Sequence, residues 1–175
     1  MQIRTVTESD VESYWALRLQ ALRDSPEVFS SVYEEQIKLP LQDVQQRLKT
    51  QSVPDNFIVV AILDDQFVGM TGVYRQDSAK VRHKANIWGV FVVPEQRGKG
   101  IARALLTEAI ARARHISGVE QVHLSVITKN TAARSLYESL GFTTYGIEPH
   151  ALKVNNVHID EAHMMMFLSS PPDEA

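Results

Sequence analysis

The stretch FVVPEQRGKGIARALL, residues 91–106, constrains this chain more than any other. Strand-forming residues stop at Pro94, the turn Arg97-Gly98-Lys99-Gly100 follows, and from Ile101 apolar residues recur at helical spacing. A strand that passes into a helix through two glycines leaves the first N–H groups of the helix unpaired, at the positive end of its dipole. Such a junction can cradle an anion, particularly a phosphate. Gly98 and Gly100 hold no side chain between backbone and ligand, and Arg97 and Lys99 add positive charge. The plainer reading is a tight turn with solvated cations.

The rest of the chain supplies strands and helices around that junction. QIRTV (2–6) reads as a first strand, and Thr7 with Asp10 has capping-box spacing ahead of a helix to about Asp24. Residues 25–40 read as an irregular connection, after which Pro40 suits the first turn of a helix with Leu41, Val44 and Leu48 on one face. Residues 56–76 read as two strands around the turn Asp64-Asp65, and ANIWGVFVV (85–93) is another strand. A strand at 119–128, a capped helix at 130–141 and two final strands, linked by a loop at 148–160 that contains Asn155-Asn156, complete the order. A single α/β (α+β) domain over residues 1–168 follows, with a polar, proline-rich tail at 169–175 expected to fray.

Composition excludes several functions. A net charge of −3 argues against a general nucleic-acid binder, and the absence of cysteine rules out disulfides, zinc–thiolate sites and a cysteine nucleophile. The longest apolar run, FIVVAIL at 57–63, is too short to span a bilayer, so no membrane association is expected. MQIRTVTESD has no apolar leader core, and a cytoplasmic protein is expected. DEAH at 160–163 spells a helicase box with no phosphate loop to serve it. His158 and His163, five apart in a strand, face opposite sides and make poor joint metal ligands, so no metal site is expected.

Two phosphate motifs fail against the glycine turn. A P-loop needs Ser or Thr after Gly-Lys, where Gly100 stands. The dinucleotide fingerprint needs a third small residue where Arg103 stands. A third pattern fits: Arg97-Gly98-Lys99-Gly100-Ile101-Ala102 resembles the [QR]-x-x-G-x-[GA] signature of the GNAT superfamily of N-acetyltransferases. Asn130, Ala133, Tyr137 and Gly141-Phe142 are similar to that family's second segment, N-x-x-A-x-x-x-Y-x-x-x-G-F. The two segments cover about a quarter of the chain and the order of strands and helices agrees over most of it.

The resemblance implies a mixed, mostly antiparallel sheet of about seven strands flanked by helices, with two strands splayed around acetyl-CoA. It implies that the backbone of Arg97, Gly98, Lys99, Gly100, Ile101 and Ala102 binds the cofactor pyrophosphate. By the same resemblance Val90, Phe91 and Val92 pair with the pantetheine arm, and an amide near Phe91 polarises the thioester carbonyl. Asn130 would touch the CoA arm and Tyr137 would protonate the leaving thiolate. Each has a plainer role as well: Asn130 as a helix N-cap, Tyr137 as a core aromatic on the face of Ala133, Leu136 and Leu140.

Many relatives carry a glutamate on the strand before the glycine turn, and this chain has none there. The base candidates are Glu34 or Glu35 in the 25–40 connection, and Glu148. The acceptor, set by the first helices and the 25–40 and 148–160 segments, is expected to be a small-molecule primary amine, with a protein N-terminus or lysine as alternatives. Val28, Phe29, Tyr33 and Trp88 either line its cleft or belong to the core. Members of the family often form homodimers, which the sequence leaves open here. The competing readings are a non-catalytic acyl-CoA sensor and a nucleotide-binding enzyme.

Overall fold

A computed structural model describes residues 1–168; the expected tail at 169–175 lies outside the described residues. Strands β1 (Gln2–Thr5), β3 (Asn56–Leu63), β4 (Gln66–Arg75), β5 (Lys84–Val92), β6 (Gln121–Ile127), β8 (Val157–Phe167) and β7 (Thr143–Val154) lie side by side in that order. An eighth strand missed in the sequence, β2 (Ser52–Val53), pairs only with β3. The β5–β6 pair is parallel and the other pairs are antiparallel. The expected mixed, mostly antiparallel sheet is the one found.

Local chemistry explains most boundaries. The Thr7 amide donates to Asp10 Oδ2 at 2.8 Å, and Arg4 clamps the same carboxylate, so the chain enters helix α1 (Val11–Asp24) from a fixed corner. Asp64 and Asp65, both left-handed, close the β3–β4 hairpin. The 25–40 connection holds a 3-10 turn at Pro26–Val28 and one helical turn, α2 (Tyr33–Gln36). Pro40 precedes the first turn of α3 (Leu41–Thr50) instead of lying within it. The 148–160 segment is not a loop: β7 and β8 run through it, broken by a bulge around His150. Asn155 and Asn156 make a tight left-handed turn between them.

Helices cover both faces of the sheet, and two glycines of β4 show how closely. A Cβ on Gly69 would meet Leu105 at 3.0 Å, on helix α4 (Ile101–Ala113). Gly72, three residues on and therefore facing the other way, lies under the indole of Trp88, 2.1 Å from where its Cβ would stand. That second face carries α1 and α3. Leu105, Leu106 and Ala109 of α4, with Val59, Val60 and Met70 of the sheet, are fully buried.

Candidate active site

The parallel pairing of β5 with β6 stops early. Only Lys84–Asn86 align with Gln121–His123, and beyond them the strands diverge. A β-bulge drives the divergence: one residue of β4, Thr71, faces the two residues Gly89 and Val90, and Gly89 takes φ +66°. The Thr71 hydroxyl donates to the displaced Trp88 carbonyl at 3.2 Å. The gap is a cavity of about 420 Å³ with Val90, Phe91 and Val92 on one wall and Leu124, Ser125 and Val126 on the other.

The amides on that wall can be assigned a direction. Val93 donates its N–H to Val68 of β4 at 2.9 Å, and the Phe91 carbonyl also faces β4, 3.0 Å from a Cβ placed on Gly69. Alternation along the strand therefore turns the Val92 amide into the cavity. The cavity-facing amide beside Phe91 is thus that of Val92 and not that of Phe91 itself.

The glycine turn stands at one end of the same space. Gly98 and Gly100 take φ +76° and +78°, and a Cβ on either would meet nothing within 4 Å. Gly100 is the N-cap of α4, whose first amides open onto a hollow of about 250 Å³. Val92, Arg97, Ala102 and Leu136 line this hollow and the larger cavity alike, so the two are continuous. Arg97 donates from Nε to the Val92 carbonyl at 3.0 Å and lies over the Phe91 ring, which fixes its guanidinium at the junction. Lys99 is tied back to Glu95 and Gln96. Arg103, read in the sequence only as a break in the dinucleotide fingerprint, also lines the hollow and donates to Ser139 at 2.7 Å.

Helix α5 (Thr131–Ser139) forms another wall. Asn130 caps it, accepting from the Ala133 amide at 3.1 Å, and lines the cavity as well. Tyr137 lines the cavity from one turn further on while its ring packs edge-on against Phe142. Burial alone pushes its phenol up to about 12, so it holds its proton at neutral pH.

The carboxylates fall differently from the expectation. Glu34 and Glu35 are exposed on α2 and line neither this cavity nor the neighbouring one. Glu148 accepts from His163 Nε2 at 2.9 Å on the β7–β8 hairpin. Among the described residues the cavity is lined by one acidic side chain, that of half-buried Glu27 on the 3-10 turn at Pro26–Val28. Sequence reasoning passed over it, although Ser-Pro-Glu is a turn-initiating signal in the connection that borders the cleft. Val28, Phe29 and Trp88 line the cavity, and Tyr33 packs against the core.

The acetyltransferase (GNAT) family profile matches residues 18–142, and the chain belongs to that family. The chain is 33% identical over 141 residues to a mycothiol acetyltransferase from Thermobispora bispora, covering 79% of this chain and 45% of that protein. It thus spans less than half the length of that relative. The L-amino acid N-acetyltransferase AaaT of Escherichia coli is 26% identical over 161 residues, covering 91% of this chain and 94% of that one. In fold the chain is similar to yncA of Salmonella typhimurium, solved with its cofactor acetyl-CoA. That structure has a TM-score of 0.83 and 19% identity, with 99% of this chain and 98% of that one covered.

Proposed function

We propose that this protein is an acetyl-CoA-dependent N-acetyltransferase that moves the acetyl group directly to the primary amine of a small molecule. The observation that carries this reading is the continuous channel from the amides of α4, past the splayed edge of β5, to Tyr137. A bare helix N-terminus suits a pyrophosphate, and an unpaired strand edge suits an amide-bearing arm. The names of the relatives mention mycothiol and L-amino acids, both small molecules.

Acetyl-CoA, when bound, supplies an acetyl group activated as a thioester. The residues of this chain divide the remaining work. The first amides of α4, with Arg97 and Arg103 beside them, hold the pyrophosphate, while Lys99 adds positive charge to the turn. The cavity-facing amide of Val92 stands ready to stabilise negative charge on the carbonyl oxygen as the amine attacks. An amine near pKa 10.4 arrives protonated, and Glu27 accepts its excess proton through water.

As the carbon–sulfur bond breaks, Tyr137 donates its hydroxyl proton toward the departing sulfur, and the proton shed by the nitrogen as it becomes an amide returns through solvent to the phenolate. A phenol near pKa 12 is a weak acid beside a thiol of about 8.5 in water. A thiolate in the same dry cleft is raised by the same desolvation, which narrows the gap. Tyr137→Phe keeps the ring and its packing on Phe142 and removes the proton. The expected result is a fall in kcat of about 10²–10⁴-fold with acetyl-CoA binding retained. Undiminished thiol release by the variant contradicts the assignment of Tyr137. Tight binding with no release from wild type over a broad amine panel leaves a non-catalytic acyl-CoA module instead.

A further inference from the structure

Arg18 of α1 is 8% exposed and forms no ion pair with any described residue. Among the described residues its Nη1 is buried without a hydrogen-bond partner, and its Nη2 reaches only the Ser31 hydroxyl, at 3.4 Å. The guanidinium lies over the rings of Phe29, at 4.8 Å, and Trp88, at 5.6 Å. Aromatic faces offset part of the cost of burying a cation, but they fill none of its donors. A buried arginine that lacks a carboxylate calls for one.

Its position says whose carboxylate that is. Phe29 and Trp88 both line the splayed cleft, and Nη1 stands 3.7 Å from where a Cβ on Gly89, at the bulge, would be. Arg18 itself lines a separate cavity of about 590 Å³ between α1, α3 and the sheet, which shares Trp88 with the cleft. Arg47 of α3 and Tyr14 line that cavity too. On the opposite wall Asp55 is already paired with Arg75 at 3.0 Å, which leaves Asp77 as the one carboxylate there outside any ion pair with a described residue. The helical wall is therefore cationic and hydrogen-bonding.

We propose that Arg18 is the docking point for a carboxylate on the acceptor, so that the enzyme acetylates short amino acids in preference to simple amines or polyamines. This rests on the acetyltransferase reading above and names the substrate class for it. Phe91 lies two steps along the strand from Gly89, a distance of about 7 Å. A hydrogen bond of about 2.9 Å to the guanidinium, followed by the few bonds between carboxylate and amine, covers that distance. A polyamine would bring more positive charge to a buried, uncompensated cation.

The test measures thiol release from acetyl-CoA with matched triplets: leucine, leucinamide and 3-methylbutylamine, and the corresponding phenylalanine set. Values of kcat/KM are referred to the concentration of neutral amine. Wild type is expected to favour the carboxylates over both partners by about 10–100-fold, the worth of a charge-assisted hydrogen bond. In Arg18→Met that preference collapses toward one, mostly through KM, and Arg18→Lys keeps part of it. The rise in Tm with acetyl-CoA confirms that each variant is folded. Thiol release without preference for the carboxylate in wild type overturns the role of Arg18 and leaves acetyl transfer standing, as does a preference that survives in a folded Arg18→Met. No release from any member of the panel overturns both.

Discussion

The two cavities that meet at Trp88 are built by different means. The cleft between β5 and β6 is made of backbone: a bulge at Gly89, an amide turned by strand alternation, and a helix start at Gly100. The cavity under α1 and α3 is made of side chains from distant parts of the chain, among them Arg18, Arg47, Gln51 and Asp77. A backbone site suits a ligand that every family member shares, because it constrains only glycines and turn residues. A side-chain site can change its ligand by a single substitution. On the proposed function, cofactor and acceptor recognition are therefore separable, with Trp88 as the shared wall.

Gly72→Ala presses hardest on that wall. The added methyl would lie 2.1–2.4 Å from three indole atoms of Trp88, so the ring must leave β4. Overpacking of this kind costs about 1–3 kcal/mol, to be read from urea unfolding. The KM for the amine is expected to rise more than that for acetyl-CoA, since the indole forms the floor beside Arg18. Equal rises in the two constants would mean that the cavities are not separable.

A smaller effect sharpens the cleft side. The Tyr137 phenol is pushed up to about 12 in the folded chain, against about 10 when unfolded. Its protonated form is common to both states below pH 10, so there it leaves stability unchanged. Between pH 10 and 12 the unfolded chain releases a proton that the folded chain keeps, and stability falls as pH rises. The loss is about 1 kcal/mol at pH 11. Tyr14, also raised by burial, adds a loss of the same sign. Comparing Tyr137→Phe with wild type in urea at pH 8 and pH 11 isolates the first contribution. An identical decline in the two proteins would place the hydroxyl in solvent.

The same division explains what the sequence disclosed. The glycine turn, Asn130 and Tyr137 were legible because short-range spacing on one strand–helix junction and one helix face encodes them. The Thr7–Asp10 corner and the Asp64-Asp65 turn were legible for the same reason. The carboxylate in the cleft was not. Glu27 reaches it only because the 3-10 turn after Ser25 lays residues 27–29 against the splay, while Glu34 and Glu35 fall on a helical turn facing solvent. Arg18 lies within the helix expected to run to about Asp24, and its sequence neighbours do not mark it. Its isolation depends on Phe29, Trp88 and Gly89, which lie 11 to 71 positions away in the chain. The 148–160 segment reads as a loop because Asn155-Asn156 marks a turn within it, while the bulge at His150 that lets the strands continue leaves no local signal.

The central claim is that the channel from Gly100 to Tyr137 holds acetyl-CoA. It is tested most directly by thermal shift with acetyl-CoA, ATP and NADH at equal concentration. At about 100 times its Kd a ligand adds about 2.7 kcal/mol, or about 5–11 °C for a chain of this size. The account predicts that rise with acetyl-CoA and little or none with the other two. A rise with ATP or NADH and none with acetyl-CoA would contradict it.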